Sequence, residues 1–408
     1  MTVQMQPLGA DAWTQVVRII EMSFGSDWPA DEQDVDRARF EPDRSLGAMD
    51  GDEVVGHTCA YSFTMTAPGG PLPVAGVSMV GVLPTHRRRG VLTALMRRQL
   101  TSLHETGAEA VAALTASEPA IYGRFGYGLA SEVASVEIPR AHRSLRAVPG
   151  SREVALRYAD KDKALDLCAD LREQIAATRP GMFRHTQPWR RGEVADPASI
   201  RHGASPLRCV LAEREGRTTG YAYFRTKASW TQRGPDGTTV VERVHATDPA
   251  SSAALWGFLL DQDLASTTTH RRLAVDDPLL SLLVDLRQAQ LKIRDGLWAR
   301  LVDVGRALAS RTYTAPVDSV IEVRDDFCPW NSGRWHLAGD AAGASCGRVT
   351  REPDLVIDVV DLAAAFFGRP VLHSLGAAGL VDEHTSGSLA ALDRAFRHDP
   401  LPWLDTPF

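Results

Sequence analysis

The chain has 408 residues, 44% of them hydrophobic and 24% charged, with a formal net charge of −6. Two or three domains are expected at this length. No apolar run approaches the ~20 residues that span a bilayer, no signal peptide opens the chain, and the five cysteines show no CxxC or Cys/His metal spacing, which predicts a reduced, cytoplasmic protein without metal or membrane span.

In chain order, Asp11 is placed to cap a helix whose apolar positions are Trp13, Val16, Val17, Ile20 and Phe24. Ten acids follow between Asp27 and Glu53, opposed only by Arg37, Arg39 and Arg44. Such a segment repels nucleic acid and is compatible with a cationic substrate, or with a merely solvated face. EVVGHTCAYSFTM (53–65) alternates like a strand, with His57, Cys59, Tyr61, Phe63 and Met65 on one side. APGGPLP reads as a turn and VAGVSMVGVL as a second strand, stopped by Pro84. After Gly90 the period becomes helical, through Leu92, Leu95, Met96, Leu100 and Leu103. A short buried strand AVAAL, the loop TASEPAIYGRFGYG and a strand SEVASVEIP complete one mixed sheet with helices on its faces.

Residues 209–262 repeat this outline, as strand pair, strand, turn and helix, but the turn reads HATDPASS. Asp277 and Pro278 open a short helix. A third region starts near 297, with strands at SVIEVRDD and GRWHLAG and apolar helices around DLAAAFFG and SLAALDRAF. The chain thus divides near 1–140, 141–295 and 296–408.

The informative stretch is VLPTHRRRGVL, from Val82 to Leu92. A strand that stops at a basic turn and a glycine, and restarts as a helix, leaves the helix N-terminal N–H groups unpaired. Those groups and the helix dipole form an anion site. Gly90 permits close backbone approach. Arg87, Arg88 and Arg89 supply forked donors that suit phosphate, though not all three can point inward. Neither a P-loop nor a GxGxxG pattern is present.

Arg87-Arg88-Arg89-Gly90-Val91-Leu92 resembles the R/Q-x-x-G-x-G/A pyrophosphate loop of the GCN5-related N-acetyltransferases, with Leu92 replacing the last small residue. IYGRFGYG resembles that family's x-Y-x-x-x-G-[FY] signature. Over essentially its whole length the chain resembles the enhanced intracellular survival (Eis) family, through its degenerate second copy, DDPL, DGLW and a terminal phenylalanine.

The resemblance implies an α+β protomer: two acetyltransferase-like mixed sheets with flanking helices, the second inactive, and a C-terminal α/β domain like sterol carrier proteins. It implies a homo-hexamer that acetylates aminoglycosides at several amines with acetyl-CoA. Tyr122 would be the general acid, Tyr127 a packing residue, and the Phe408 carboxylate the general base. Acetyl-CoA would lie along Gly81, Val82 and Leu83, whose backbone holds the acetyl carbonyl, and along the arginine loop with Gly90, Val91, Leu92 and Thr93. Ser117 and Glu118 would touch it or cap the tyrosine helix. Phe24, Asp27, Trp28 and Arg37 are candidates for the amine pocket, with Asp295 of DGLW as a further acid. Trp13 and Met65 suit the core better, and nothing around Cys59 marks it as a nucleophile. The family's acid before the terminal phenylalanine is replaced by Pro407, and Asp405 is the nearest acid. Protein lysines or polyamines are alternative acceptors, and a lipid-carrying scaffold is the non-enzymatic alternative.

Overall fold

A computed structural model describes residues 3–408. The first layer begins with β1 (Gln4–Pro7), α1 (Trp13–Phe24) and α2 (Ala30–Arg37). Asp11 does not cap α1. It lies in a 3-10 turn over 10–12, and α1 starts without a side-chain cap. β2 (Ser45–Asp50), β3 (Glu53–Ala67) and β4 (Gly70–Val82) form an antiparallel meander. The β3–β4 turn is tighter than the proline-rich stretch suggests, because Gly69 and Gly70 take φ of 103° and 138° and the strand resumes at Gly70. α3 (Val91–Thr106) crosses back to β5 (Val111–Leu114), which runs parallel to β4.

The order of this seven-stranded sheet corrects the sequence reading. β6 (Gly128–Leu129) is at its edge, but SEVASVEIP, which forms β7 (Glu132–Pro139), leaves for a second sheet. The vacated place beside β5 is filled from much later in the chain, by β16 (Trp298–Leu301), antiparallel to both β5 and β6. The stretch expected to open the third region therefore completes the first sheet.

The second sheet contains β8 (Ala155–Ala159), β9 (Arg208–Arg214), β10 (Arg217–Lys227), β13 (Gly237–Ala246), β14 (Ala265–Ala274) and β15 (Lys292–Asp295), with β7 between β14 and β15. Two short strands, β11 (Trp230–Thr231) and β12 (Gly234–Pro235), make a separate ribbon. β13 runs antiparallel to β10 and parallel to β14, with α6 (Pro249–Leu260) as the crossover, as β4 relates to β3, β5 and α3. α4 (Leu165–Ala176) and α5 (Gln187–Val194) precede β9, and α7 (Pro278–Leu282) follows β14.

The third layer is a five-stranded sheet built on β17 (Val317–Arg324), with β18 (Gly333–Asp340) and β19 (Gly343–Arg348) on one side and β20 (Leu355–Asp358) and β21 (Val381–Glu383) on the other. The helices Val359–Ala365 and Ser388–Phe396 flank it. Its hydrophobic core is continuous with that of the first sheet, from Phe63 and Val111 through Leu301 to Ile321 and Phe366. Among the described residues no helix is long and apolar enough to cross a membrane.

Candidate active site

The RRRG turn forms as the sequence requires. β4 ends at Val82, Pro84–His86 make one 3-10 turn, and α3 begins at Val91. Gly90 is the N-cap with φ of 81°, and no side chain caps the helix. Arg88 is also left-handed, at φ of 60°. Left-handed residues flanking an uncapped helix start turn successive N–H groups toward one concavity, the geometry of a backbone anion nest. The Ala94 N–H is the first to bond backward, to the Gly90 carbonyl at 2.9 Å, so the first turn remains open.

A cleft of about 650 Å³ opens at this helix end. It brings together most of the predicted cofactor residues: Gly81, Val82, Arg87, Arg88, Gly90, Val91, Leu92, Thr93, Ser117, Glu118 and Tyr122. Arg89 is different. It faces a separate depression with Asp50, leaving two of the three loop arginines on the cleft, which Arg124 also lines. Arg87 also donates to the Ser23 carbonyl at the end of α1, at 2.9 Å, which ties α1 to the loop. Ser117 and Glu118 do not cap the turn Pro119–Ile121; no side-chain cap bond is present there. Leu83 departs from expectation: its side chain packs in the core and its N–H is already bonded to the Val55 carbonyl at 2.9 Å. It has no donor to offer an acetyl group.

Tyr122 is 9% exposed, and its ring meets Tyr127 edge-on with centroids 5.9 Å apart. Burial, helped by the Glu118 carboxylate, pushes the Tyr122 pKa up to about 12. The phenol is therefore a proton donor throughout the neutral range. Tyr127 is fully buried and packs beneath it.

Residues that sequence reasoning passed over shape the cleft wall. The β3–β4 register slips between His57 and Cys59, and Met79 takes φ of 50°, so β4 bulges just before Gly81. The buried His57 ring holds this bulge. Its Nδ1 lies 2.7 Å from the Met79 carbonyl and its Nε2 2.8 Å from the Ser45 hydroxyl. A carbonyl only accepts, so Nδ1 carries the proton and Nε2 accepts from Ser45. Burial lowers the His57 pKa to about 4 and keeps the ring neutral. The alternating pattern of β3 put His57 on the face of Cys59 and Tyr61, but no local signal marked the bulge.

Phe408 does return to the first sheet. Its main-chain oxygen accepts from the Thr115 hydroxyl at 2.7 Å, directly beyond β5, and its ring packs on Phe63 and Phe183. It is not among the residues lining the cleft itself.

The predicted amine-pocket residues scatter. Phe24 lines the cleft and is half exposed. Trp28 packs on the buried Trp13, and its N–H is held by Glu21. Asp27 and Arg37 are exposed outside the lining, and Asp295 accepts the Trp298 indole N–H at the end of β15. The acid-rich segment is not one field aimed at the cleft. Glu41 holds Ser62, Asp36 pairs with Arg39, Asp50 with His86, Glu53 with Arg18, and Asp31 accepts from Ser199. Met65 and Cys59 are fully buried, and burial drives the Cys59 thiol up, which suits neither for chemistry.

Known proteins agree with this architecture. Residues 4–130 and 181–306 each match an acetyltransferase (GNAT) domain family, and residues 304–405 match a sterol carrier protein domain family. An uncharacterized N-acetyltransferase of Streptomyces avermitilis is 47% identical over 410 residues, covering 100% of both chains. The N-acetyltransferase Eis of Mycobacterium tuberculosis is 31% identical over 368 residues, covering 86% of this chain and 85% of its own. The crystal structure of Eis1 from Mycobacterium abscessus superimposes with a TM-score of 0.83 at 32% identity, covering 99% of this chain and all of that one. With two acetyltransferase domains joined to a sterol carrier protein domain, and this identity along most of its length, the chain is an N-acetyltransferase that belongs to the Eis family.

Proposed function

We propose that the protein transfers the acetyl group of acetyl-CoA to amines of aminoglycosides, at more than one position, by direct attack of the amine on the thioester. GNAT domains use acetyl-CoA. One observation carries the reading here: the uncapped start of α3, with Arg87 and Arg88, shares a single cleft with Tyr122. A pyrophosphate fits the nest, and the phenol then stands on the same cleft as the thioester end.

An ammonium must first lose its proton, and the Phe408 carboxylate, directly or through water, takes it. The amine nitrogen then bonds to the thioester carbon, the C–S bond breaks, and the Tyr122 hydroxyl protonates the departing sulfur. Burial raises the pKa of a thiol as it does that of the phenol, so the transfer runs between groups shifted in the same direction. The backbone of Val80 to Val82, just beyond the bulge, lines the cleft and faces the acetyl carbonyl. We keep three units, near 1–140, 141–295 and 296–408, with β7 lent to the second sheet and β16 to the first, and a cytoplasmic homo-hexamer.

A second reading is a protein-lysine or polyamine acceptor, because the acid that the family carries before its terminal phenylalanine is Pro407 here and the nearest one is Asp405. That acid is buried against Arg172 and has no face to offer an ammonium. Release of coenzyme A thiol, measured with aminoglycosides, polyamines and lysine peptides, tests both. Turnover with aminoglycosides that collapses when Phe408 is deleted is the expected result. Turnover only with peptides or polyamines moves the substrate. No acetyl-CoA binding at all refutes the role of the arginine loop.

A further inference from the structure

The segment 401–408 crosses the second domain before reaching the first, and it is held at nearly every residue. The Leu401 N–H donates to Asp276, the Trp403 N–H to the Pro180 carbonyl, and the Trp403 indole to the Arg272 carbonyl. The centre of this path is an ion pair. Arg172, on α4, donates to both carboxylate oxygens of Asp405 at 2.7 Å, and both side chains are at most 1% exposed. A third guanidinium bond, 3.0 Å long, goes to the Phe183 carbonyl. The Phe183 ring is one of the two on which Phe408 rests. One arginine of the inactive domain therefore fixes both the chain just before Phe408 and part of the seat under its ring.

We propose that the Arg172–Asp405 fork is a positioning latch, by which the second acetyltransferase domain sets the place of the Phe408 carboxylate at Thr115. The proposal rests on the reading of Phe408 as proton acceptor. Its physical basis is that a two-bond arginine–carboxylate fork fixes orientation as well as distance. A buried pair is also weak evidence for a stabilising role, since apolar replacements are often as stable. Neither Arg172 nor Asp405 lines the cleft, so their effect on it passes through the segment that ends at Phe408.

The test separates position from stability. Arg172→Met with Asp405→Asn removes both charges of the fork together, and Glu173, which Arg172 also meets at 3.2 Å, keeps the His185 N–H as a partner. Arg172→Lys keeps the charge but loses the fork, and serves if the double variant does not fold. The position readout is the rate at which carboxypeptidase releases Phe408, followed by mass spectrometry on the full chain. The functional readouts are kcat and the KM for acetyl-CoA. Release should quicken about ten-fold or more, and kcat should fall about 100-fold, the scale of a ~1 Å misplacement. The KM for acetyl-CoA should stay within about two-fold, because the nest is untouched. Folded variants with wild-type release and wild-type kcat overturn the latch. Faster release at unchanged kcat upholds the latch and instead removes Phe408 from the chemistry, so the two readings fail separately.

Discussion

The starts of α3 and α6 occupy equivalent places in two sheets of the same layout, and they are finished in opposite ways. α3 begins at a left-handed glycine with no side-chain cap. α6 begins at Asp248, whose carboxylate accepts from the Ser251 N–H at 2.9 Å and its hydroxyl at 2.7 Å, with Pro249 at the first helical position. Beyond β5 stands Tyr122. Beyond β14 the chain runs Val275-Asp276-Asp277-Pro278, and Asp277 caps the start of α7 by accepting from the Leu279 N–H. The same helix-end field is left for an external anion in one domain and neutralised by an internal carboxylate in the other. In α6 the carboxylate satisfies the N–H groups that α3 leaves open.

Four substitutions break or sharpen this comparison. Tyr122→Phe removes the group that has no counterpart in the second domain. We expect kcat to fall by about 10²–10⁴ with the acetyl-CoA dissociation constant unchanged, by steady-state kinetics and calorimetry. Because burial raises the Tyr122 pKa to about 12, the phenol should cause no alkaline loss of the wild-type rate around its ordinary pKa of about 10. Gly90→Asp gives α3 the acidic cap of α6 at a left-handed position. Acetyl-CoA affinity should weaken about 100-fold by titration calorimetry, and an unchanged affinity would falsify the open nest. Arg87→Met removes a cleft cation and the bond to Ser23. The dissociation constant should rise about ten-fold, with a stronger dependence on salt lost alongside.

Asp248→Ala opens the α6 end and should be the mildest. It should cost about 1 kcal/mol, read as a lower melting temperature, with acetyl-CoA affinity unchanged. Burial pushes the Asp248 carboxyl up, but bonds from Ser251 outweigh it and leave its pKa below the ordinary value. Its stabilisation is therefore present above the unfolded pKa of about 4 and fades as pH falls through the folded value. The gap in melting temperature between wild type and variant should close in acid.

Local features were legible in the chain itself. The strand stop at Pro84, the arginines and glycine at the start of α3 and the loss of those arginines and that glycine in HATDPASS are short-range patterns, and they located the cleft. The cap at Asp277 was equally visible, since capping involves neighbours in sequence. Where the chemistry of a residue depends on a distant partner, the reading failed. Asp405 stood out in the sequence only as the acid nearest the terminal phenylalanine, and its partner Arg172 lies 233 residues away in the chain. The acids of 27–53 counted as a field, but Ser62, His86 and Ser199 absorb several of them.

The sequence alone determined the kind of protein: two mixed sheets, a third layer, an anion seat in the first sheet and none in the second. Helix starts, turns and hydrophobic periods are decided within a few residues, so they can be read without coordinates. Only the tertiary structure decided that β7 joins the second sheet and β16 the first, that β4 bulges over the buried His57, and that Phe408 docks at Thr115. Strand pairing and ion pairing are contacts between segments far apart in the chain, and hydrophobic pattern specifies that a strand is buried without specifying beside which other strand.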